Sequence, residues 1–458
     1  MSSAGYRVQN PATGEIVETY DTASQADVDA ALDRAHTAYQ SWREMTIEER
    51  GEVVSRVANL FTERKDALAQ IIAEEMGKPL PEGEEEAEYC TAIFEYFAEH
   101  GPQLAADEEI PTFSDGKAFV ERRPIGVLLG IMPWNFPYYQ VARFAAPNLM
   151  LGNTIILKHA EICPRSAQAI QQIMDDAGVP AGVYNNLFAS HDQIAEIIAD
   201  PRVQGVSLTG SERAGSVVGA LAGKHLKKAV LELGGSDPYV ILDTDDVKEA
   251  AKTAWETRMY NTGQACNSNK RMIVMDDIYD EFVAELTQLA EGMTPGGPGD
   301  DYATTYTPLS SAEAADRLDE QVQQAVKDGA TLRAGGTRGD GAYYAPTVIT
   351  DVTSDMEAYR EELFGPVAVV YRVSSDEEAL TLANDTDFGL GGAVFSKDTA
   401  RAEKIAQQLD VGMSNVNTPA GEGAEVPFGG VKRSGFGREL GPLGMDEFVN
   451  KRMYFVAD

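Results

Sequence analysis

The segment Gly205-Val206-Ser207-Leu208-Thr209-Gly210-Ser211-Glu212-Arg213-Ala214-Gly215 carries the clearest fold signal in the chain. It opens with a short apolar run typical of a buried strand, and an amphipathic helix begins after Ser211. Two glycines and a hydroxyl at the start of a helix suit the close approach of a phosphate to backbone N–H groups. The segment is neither GxGxxG nor a P-loop, so a plain strand-to-helix turn explains it equally well.

The same alternation of strand and helix extends on both sides of this turn. The predicted strand and helix pairs are Val127–Met132 with Tyr139–Leu149, Thr154–Leu157 with Pro164–Asp176, Asn185–Phe188 with Asp192–Ile198, and Gly205–Leu208 with Ser211–Ala222, before a last strand Lys228–Leu231. A second series has strands near Pro238–Leu242, Arg271–Met275 and Val367–Val373, and helices Ile278–Ala290 and Ala312–Lys327. Strands that alternate with helices in this way predict an α/β fold with parallel sheets covered on both faces.

The 458 residues include 38 Lys and Arg against 73 Asp and Glu, which gives a formal net charge of −35. Nucleic-acid binding and docking on anionic membranes are therefore not expected, because both need clustered basic residues. The acidic residues are spread along the chain rather than gathered in a tail. Since concentrated salt would screen their self-repulsion, the composition favours a halophilic source, and an acidic mesophilic protein is the alternative.

Three cysteines, Cys90, Cys163 and Cys266, are present without a CxxC spacing. No disulfide framework and no metal site are predicted from them, and a reducing compartment is expected. The first residues contain no apolar signal segment, and the longest apolar stretch, Ile125 to Met132, is too short to span a bilayer. We expect a cytoplasmic protein that does not associate with a membrane.

Three polar residues are candidate catalytic residues because of their positions in the sequence. Cys266 lies in the small-residue segment Asn261–Asn267, where a thiolate would be accessible, and the five histidines form no evident partner motif for it. Asn135, in Pro133-Trp134-Asn135-Phe136-Pro137, follows the strand ending at Met132, so its amide can point into a cleft. Glu232 ends a strand beside two glycines, as a general base or, alternatively, as a helix-capping carboxylate.

Together these segments resemble the aldehyde dehydrogenase superfamily, in the family's order and over nearly the whole chain. The other matching segments are Lys158-His159-Ala160-Glu161, Thr209-Gly210-Ser211 with Gly215, Glu361-Glu362-Leu363-Phe364-Gly365-Pro366, and Pro427-Phe428-Gly429-Gly430-Val431-Lys432-Arg433-Ser434-Gly435. The resemblance implies two Rossmann-like parallel-sheet domains plus a small β oligomerisation appendage. It divides the chain into an NAD(P)-binding domain (1–106 and 124–234), a catalytic domain (235–433) and oligomerisation segments (107–123 and 434–458).

The resemblance also implies site roles. Cys266 is the nucleophile, Asn135 the oxyanion donor and Glu232 the general base of a reaction that passes through a cysteine thioester. The cofactor-binding residues are Trp134, Lys158, Glu161, Gly210, Ser211, Gly215, Leu233, Glu362 and Phe364. NAD is favoured over NADP, because a carboxylate at Glu161 accepts from both ribose hydroxyls and repels a 2′-phosphate. A cofactor-independent thiol esterase is the alternative function.

Within the superfamily, the short N-terminus and residues 136–160 most resemble the compact succinate-semialdehyde dehydrogenase branch. The resemblance assigns Arg143 to the distal carboxylate of the substrate, which an arginine fork can bind bidentately. A structural salt bridge is the alternative role. The chain departs from the longer members at Tyr260, where they carry a second arginine, and nearby Arg258 is expected on another helix face. Another small aldehyde therefore remains an alternative substrate.

The C-terminal segment Lys451 to Val456 and the stretch Gly116 to Arg123 have strand-like character outside the main alternation. An uncovered apolar edge would be an aggregation hazard. In the resembled family these two regions build an oligomerisation sheet. We therefore expect a homodimer or a homotetramer with closed symmetry.

Overall fold

The computed structural model describes residues 5–113 and 115–458. Its α-helices are α1 Gln25–Trp42, α2 Ile47–Glu63, α3 Lys65–Met76, α4 Leu80–Leu104, α5 Tyr139–Leu151, α6 Pro164–Asp176, α7 His191–Ala199, α8 Glu212–Lys224, α9 Val247–Met259, α10 Asp276–Gly292, α11 Ala312–Asp328, α12 Glu357–Arg360, α13 Asp376–Asn384, α14 Thr399–Ala406 and α15 Gly441–Glu447. Short 3₁₀ turns cover Tyr260–Gly263 and Lys432–Ser434.

The β-strands form two large sheets and smaller ones. They are β1 Tyr6–Gln9, β2 Ile16–Tyr20, β3 Glu108–Ile110, β4 Lys117–Pro124, β5 Val127–Met132, β6 Thr154–His159, β7 Tyr184–Asn186, β8 Val203–Thr209, β9 Lys228–Glu232, β10 Pro238–Ile241, β11 Arg271–Met275, β12 Thr294–Pro295, β13 Thr305–Tyr306, β14 Thr331–Ala334, β15 Thr347–Thr350, β16 Val367–Val373, β17 Gly391–Phe395, β18 Met413–Val416, β19 Gly435–Phe436 and β20 Val449–Val456.

The first large sheet has the order β19-β9-β8-β5-β6-β7, and its strands are parallel except for β19. Alternate residues of β5 enter different cores: Leu128 packs with α2, α4 and α5, whereas Val127 and Leu129 pack with α1, α7 and α8. Both faces are therefore covered, as predicted. The carboxyl ends of the parallel strands share one edge, where Asn135, Glu161, Ser211 and Glu232 follow or end their strands.

The second large sheet has the order β14-β15-β16-β11-β10-β17-β18, antiparallel only where β14 meets β15. The predicted strands at β10, β11 and β16 are confirmed. The sequence analysis did not identify β14, β15, β17 and β18. These strands are short, and β17 and β18 contain glycine or polar residues, so each lacks the long apolar run that marks a buried strand.

The amphipathic segments α2 and α3 are separate helices, because Arg64 between them leaves the helical conformation. The small antiparallel sheet β20-β4-β3 joins the two predicted oligomerisation regions. Earlier residues of the predicted 434–458 segment lie elsewhere: β19 pairs with β9, and α15 packs on α5. The predicted domain boundaries stay predictions. None of the helices formed by the described residues is both long and apolar enough to cross a bilayer.

Candidate active site

A cavity of about 670 Å³ brings Cys266 together with side chains from α4, α5 and the loop before β19. Its lining includes seven aromatic residues: Tyr89, Tyr96, Phe136, Tyr139, Tyr239, Tyr260 and Phe428. Arg143 lies in the same lining. An apolar enclosure with a thiol and a guanidinium is the kind of concave pocket that holds a small molecule.

The loop that presents Cys266 has an unusual backbone conformation. Asn261 and Thr262 both have a φ of 51°, in the left-handed region, and Gly263 follows with a φ of 75°. A Cβ on Gly263 would lie 2.2 Å from the Gly365 carbonyl oxygen, so only glycine fits there. Glu82 accepts from the Asn261 N–H at 2.8 Å and thereby stabilises this strained turn.

Asn135 lies directly against the same loop. Its amide nitrogen donates to the Gln264 carbonyl at 3.0 Å, and the Asn261 amide donates to the Asn135 carbonyl at 2.8 Å. The predicted oxyanion donor and the predicted nucleophile loop, which are far apart in the sequence, are therefore held together by reciprocal hydrogen bonds.

The electrostatic surroundings of Cys266 are mixed. Burial raises the pKa of the Cys266 thiol to about 11, and the charges of Arg143 and Lys270 oppose the rise while Glu362 and Glu232 add to it. Cys90 and Cys163 are fully buried, as expected for small hydrophobic residues. Cys266 is thus the partly accessible thiol among the cysteines, and two nearby cations favour its thiolate.

Glu232 ends β9 with its carboxylate buried and 2% of the residue exposed. Neither carboxylate oxygen has a hydrogen-bond partner among the described residues. Burial, reinforced by the charge of Glu439, raises the pKa of Glu232 well above its ordinary range, and Arg143 opposes this. A carboxyl of this kind takes up a proton readily, which is the property a general base needs.

Arg143 forms the salt bridge that was its alternative role, and it also lines the cavity, so its contact with a substrate stays a prediction. Its Nε lies 2.8 Å from a carboxylate oxygen of Glu439 in a fully buried ion pair, and its Nη2 donates to Gln140. The guanidinium carbon is 4.1 Å from the ring centre of Phe428. Nε has only this ion contact and no aligned hydrogen bond, and Nη1 has no hydrogen-bond partner among the described residues. The expected bidentate fork is therefore partly occupied, and Nη1 stays available.

The residues predicted to bind the cofactor meet at the carboxyl edge of the first sheet. Lys158 lies near the end of β6 and forms an ion pair at 2.6 Å with Glu161, which follows the strand. Burial tends to raise the pKa of Glu161, but the charge of Lys158 and its hydrogen bond outweigh this effect, so the pKa is lowered. Ser211 caps α8 by accepting from Ala214. A Cβ on Gly210 would meet nothing within 4 Å, so the space before the α8 N-terminus is open, as a phosphate requires.

Gly215 and Leu233 contribute by packing. A Cβ on Gly215 would lie 2.5 Å from a Leu233 methyl, so the glycine lets α8 approach the end of β9. On the opposite wall Phe364 meets the edge of Trp134, with 5.8 Å between ring centres. Glu362 accepts from the Gly235 N–H at 3.1 Å and lies 3.1 Å from the Lys270 ammonium. Glu362 and Phe364 therefore contact Gly235 and Trp134, which follow strands of the first sheet. The donor set of the predicted residues fits a dinucleotide.

The sequence analysis did not identify Lys270, Glu82 and Glu439 as site residues, and it gave Arg258 no role. Lys270 lies four residues after Cys266 in a non-helical loop, where this spacing carries no signal. Arg258 is fully buried and is not part of the cavity lining. It donates hydrogen bonds to the backbone carbonyls of Gly263, Leu363, Gly365 and Val367. No local signal marks Glu82 or Glu439, because their partners lie far away in the sequence.

A comparison with known families matches residues 1–454 to the model described as "Aldehyde dehydrogenase family". The chain belongs to the aldehyde dehydrogenase family. It is an NAD(P)-dependent oxidoreductase that acts on an aldehyde, and its fold is the one that the sequence resemblance predicted.

The names of several similar relatives are narrower than the name of the family. A succinate-semialdehyde dehydrogenase [NADP(+)] of Deinococcus radiodurans is 53% identical over 446 residues, 97% of this chain and 93% of that protein. A succinate semialdehyde dehydrogenase [NAD(P)+] of Escherichia coli is 41% identical and covers 96% of both chains. The crystal structure of succinic semialdehyde dehydrogenase from Streptococcus pyogenes with NADP+ matches with a TM-score of 0.96 and 42% identity, over 99% of this chain and 100% of that one.

Proposed function

We propose that this enzyme oxidises a short aldehyde with an acidic tail, such as succinate semialdehyde, to the carboxylate. The observation that carries the proposal is the placement of Arg143 and Cys266 in the lining of one cavity, with Arg143 Nη1 unpartnered. A substrate with an aldehyde at one end and a carboxylate at the other can meet both groups. The names of the similar relatives agree with this substrate class.

Cys266 supplies the nucleophile. Its Sγ attacks the aldehyde carbon, and the new oxyanion accepts from the Asn135 amide and the Cys266 backbone N–H. When bound, the nicotinamide cofactor supplies the hydride acceptor of the oxidation. The acyl group then stays on Cys266 as a thioester.

Glu232 serves the second half of the reaction. Its buried carboxylate takes a proton from a water molecule, and the resulting hydroxide attacks the thioester carbon. The C–S bond breaks, the acid leaves, and the Cys266 thiolate is restored. Because neither oxygen of Glu232 has a hydrogen-bond partner among the described residues, both are available to hold this water.

Arg143 recognises the acidic tail through one N–H edge rather than a full fork. Nη1 donates to one carboxylate oxygen, while Glu439 and Gln140 retain the rest of the guanidinium. Tyr260, at the position of the second arginine in longer members, donates to Glu85 at 2.9 Å and stacks on Phe136. The stacked rings of Tyr260 and Phe136 give the cavity lining an aromatic part, which suits the methylene chain of a short substrate.

For the cofactor we propose NAD in preference to NADP. Glu161 follows β6 as an ionised carboxylate that retains one oxygen outside its contact with Lys158. That oxygen can accept from a ribose hydroxyl and would repel a 2′-phosphate. Lys158 offsets part of this repulsion, so the preference is one of degree. Several similar relatives carry NADP(+) in their names, which makes Glu161 a decisive position to test.

We also propose a homodimer or homotetramer in the cytoplasm. Met453, Tyr454 and Phe455 of β20 are 65%, 49% and 39% exposed in the single chain, and a second copy would cover them. The absence of paired cysteines fits a reducing compartment. Light scattering of the full chain and of a variant lacking residues 450–458 tests the assembly.

The test of the proposed function is Cys266→Ala. It should abolish dehydrogenase and esterase activity together, a loss of about 10³-fold or more, while the cofactor still binds. The matched variant Glu232→Gln should keep a rapid first burst of reduced cofactor and slow the later turnover. Turnover retained in C266A would place the nucleophile elsewhere, and a lost burst in E232Q would place Glu232 in thiol activation.

The substrate class is tested by kcat/KM for succinate semialdehyde and for an uncharged aldehyde of the same chain length, with NAD and with NADP. A preference for the acidic aldehyde supports the role of Arg143. Equal values for the two aldehydes would contradict it, and hydrolysis of esters without oxidation of any aldehyde would favour the esterase alternative.

A further inference from the structure

Lys270 lies four residues after Cys266 and is 2% exposed. Its ammonium donates to the carbonyl oxygens of Ala265 at 2.7 Å and Cys266 at 2.8 Å, and it lies 3.1 Å from Glu362. A lysine has three N–H donors and no acceptor, so these three oxygens satisfy it completely. A buried lysine is costly unless it is fully paired, and here the three hydrogen-bond and ion contacts go to the nucleophile loop and to Glu362. The ammonium also lies 5.6 Å from the ring centre of Phe364, and its charge acts on Asp237.

The two carbonyl contacts fix the orientation of the backbone at Cys266. The Ala265 carbonyl and the Cys266 N–H belong to one peptide unit, and no cis peptide bond occurs among the described residues. In a trans peptide the C=O and N–H point in opposite directions. Because Lys270 holds the Ala265 oxygen, the Cys266 N–H points away from Lys270, and no described residue accepts from it.

We infer that Lys270 is a positioning residue, which aims the backbone N–H of Cys266 at the reacting oxygen and links the nucleophile loop to Glu362. The inference rests on the proposed role of Cys266. Without the lysine, the peptide at Cys266 could rotate, and the oxyanion would lose a preorganised donor. Glu362 would also lose the cation that holds it beside Gly235.

Arg258 supports the inference independently, because it also joins the nucleophile loop to the segment that contains Glu362. It donates to the Gly263 carbonyl and the Ser268 hydroxyl in the nucleophile loop, and to the Leu363 and Gly365 carbonyls beside Glu362. Arg258 and Lys270, both buried, therefore connect the nucleophile loop to the segment around Glu362. Arg258 contacts only neutral oxygens, whereas Lys270 contacts a carboxylate and the peptide oxygen of the nucleophile itself.

Lys270 also places a positive charge near the thiol. The charged groups that face Cys266 are Arg143 and Lys270, which favour the thiolate, and Glu362 and Glu232, which oppose it. Removal of Lys270 leaves two carboxylates against one cation. A positioning lysine should therefore affect the pH dependence of the thiol as well as the rate, and a lysine with a purely structural role would affect neither in the folded enzyme.

The test compares Lys270→Met with Lys270→Arg. In K270M we expect kcat to fall about 10- to 100-fold, with a smaller change in KM for the aldehyde. The alkylation of Cys266 by iodoacetamide, measured against pH without cofactor, should shift to higher pH. K270R, which keeps the cation, should recover part of kcat and move the alkylation profile back. Lys252→Met on the exposed face of α9 is the matched control and should change neither.

Circular dichroism establishes whether each variant is folded. If K270M does not fold, Lys270→Gln, which keeps N–H donors without the charge, is measured against K270R instead. The inference would be overturned if a folded K270M or K270Q kept the burst rate and the alkylation profile of the wild type. It would also be overturned if K270R were as impaired as K270M and its alkylation profile did not move back towards that of the wild type. Those results would leave the proposed function intact, because only retained turnover in C266A contradicts that.

Discussion

Two ion pairs of the same kind lie at the two proposed binding sites, one for the cofactor and one for the substrate. Lys158–Glu161 is at the predicted adenosine end, with the glutamate side chain 26% exposed. Arg143–Glu439 is at the substrate end, with side chains 1% and 5% exposed. Both combine a cation and a carboxylate near a site for a charged or polar ligand group. They differ mainly in their access to water.

This difference in burial determines what each pair can do. Water and salt reach the partly exposed carboxylate of Glu161 more than the buried pair, so Glu161 can bias the choice of cofactor only moderately. A buried guanidinium is screened little, and its unpartnered N–H edge costs free energy until an acceptor arrives. The substrate end should therefore discriminate strongly and the cofactor end weakly.

The largest expected effect comes from breaking the buried pair with Arg143→Met. Selectivity for the acidic aldehyde over its uncharged analogue should fall about 10²-fold or more, because a charge-assisted contact in a dry site is lost. The variant also leaves Glu439 buried without its cation, at a cost of about 3–5 kcal/mol in the free energy of unfolding. Steady-state kinetics with both aldehydes and thermal unfolding measure the two effects.

The double variant R143M/E439Q is the control for that experiment. It should recover much of the stability and none of the selectivity, since both buried charges are gone. If selectivity returned with stability, Arg143 would act through the structure of the enzyme and not through the substrate.

A second effect is on pH dependence, through Glu439→Gln. The charge of Glu439 contributes to the raised pKa of Glu232, after burial. Removing it should lower that pKa, so Glu232 becomes ionised at lower pH, and the acid limb of the steady-state rate should move to lower pH. The free Arg143 charge acts in the same direction. A pH–rate profile that stays in place or moves up would contradict the assignment of Glu232 as the base.

At the exposed end, Glu161→Ser should shift the ratio of kcat/KM values about tenfold towards NADP. The removed repulsion is that of a partly screened charge, which sets this smaller magnitude. The comparison is made at one salt concentration, with Asp192→Ser on α7 as a surface control. An unchanged ratio would mean that a residue other than Glu161 sets the preference.

The smallest effect is that of salt on the wild type. Between 0.1 M and 1 M salt the Debye length falls from about 10 Å to about 3 Å. The preference for NAD should weaken over this range, while the preference for the acidic aldehyde should change little. Parallel changes in both preferences would show that the two pairs do not differ in their screening by salt.

The sequence alone was sufficient for the α/β class, for most strands of the first sheet and for the family. Local patterns contain this information, because an apolar run, a helical period and a glycine turn each report burial and backbone geometry at their own position. Cys266, Asn135 and Glu232 could be selected for the same reason: each lies at a strand end or in a small-residue turn.

What only the tertiary structure decided is the partner of each charge. The sequence offered Arg143 two roles, and the fold gave it Glu439 on one edge and the cavity on another. Lys270 looked like an ordinary charged residue until the structure placed it under the carbonyls of the nucleophile loop. The energy of a buried charge depends on neighbours from distant segments, and a local pattern does not specify which segments will meet.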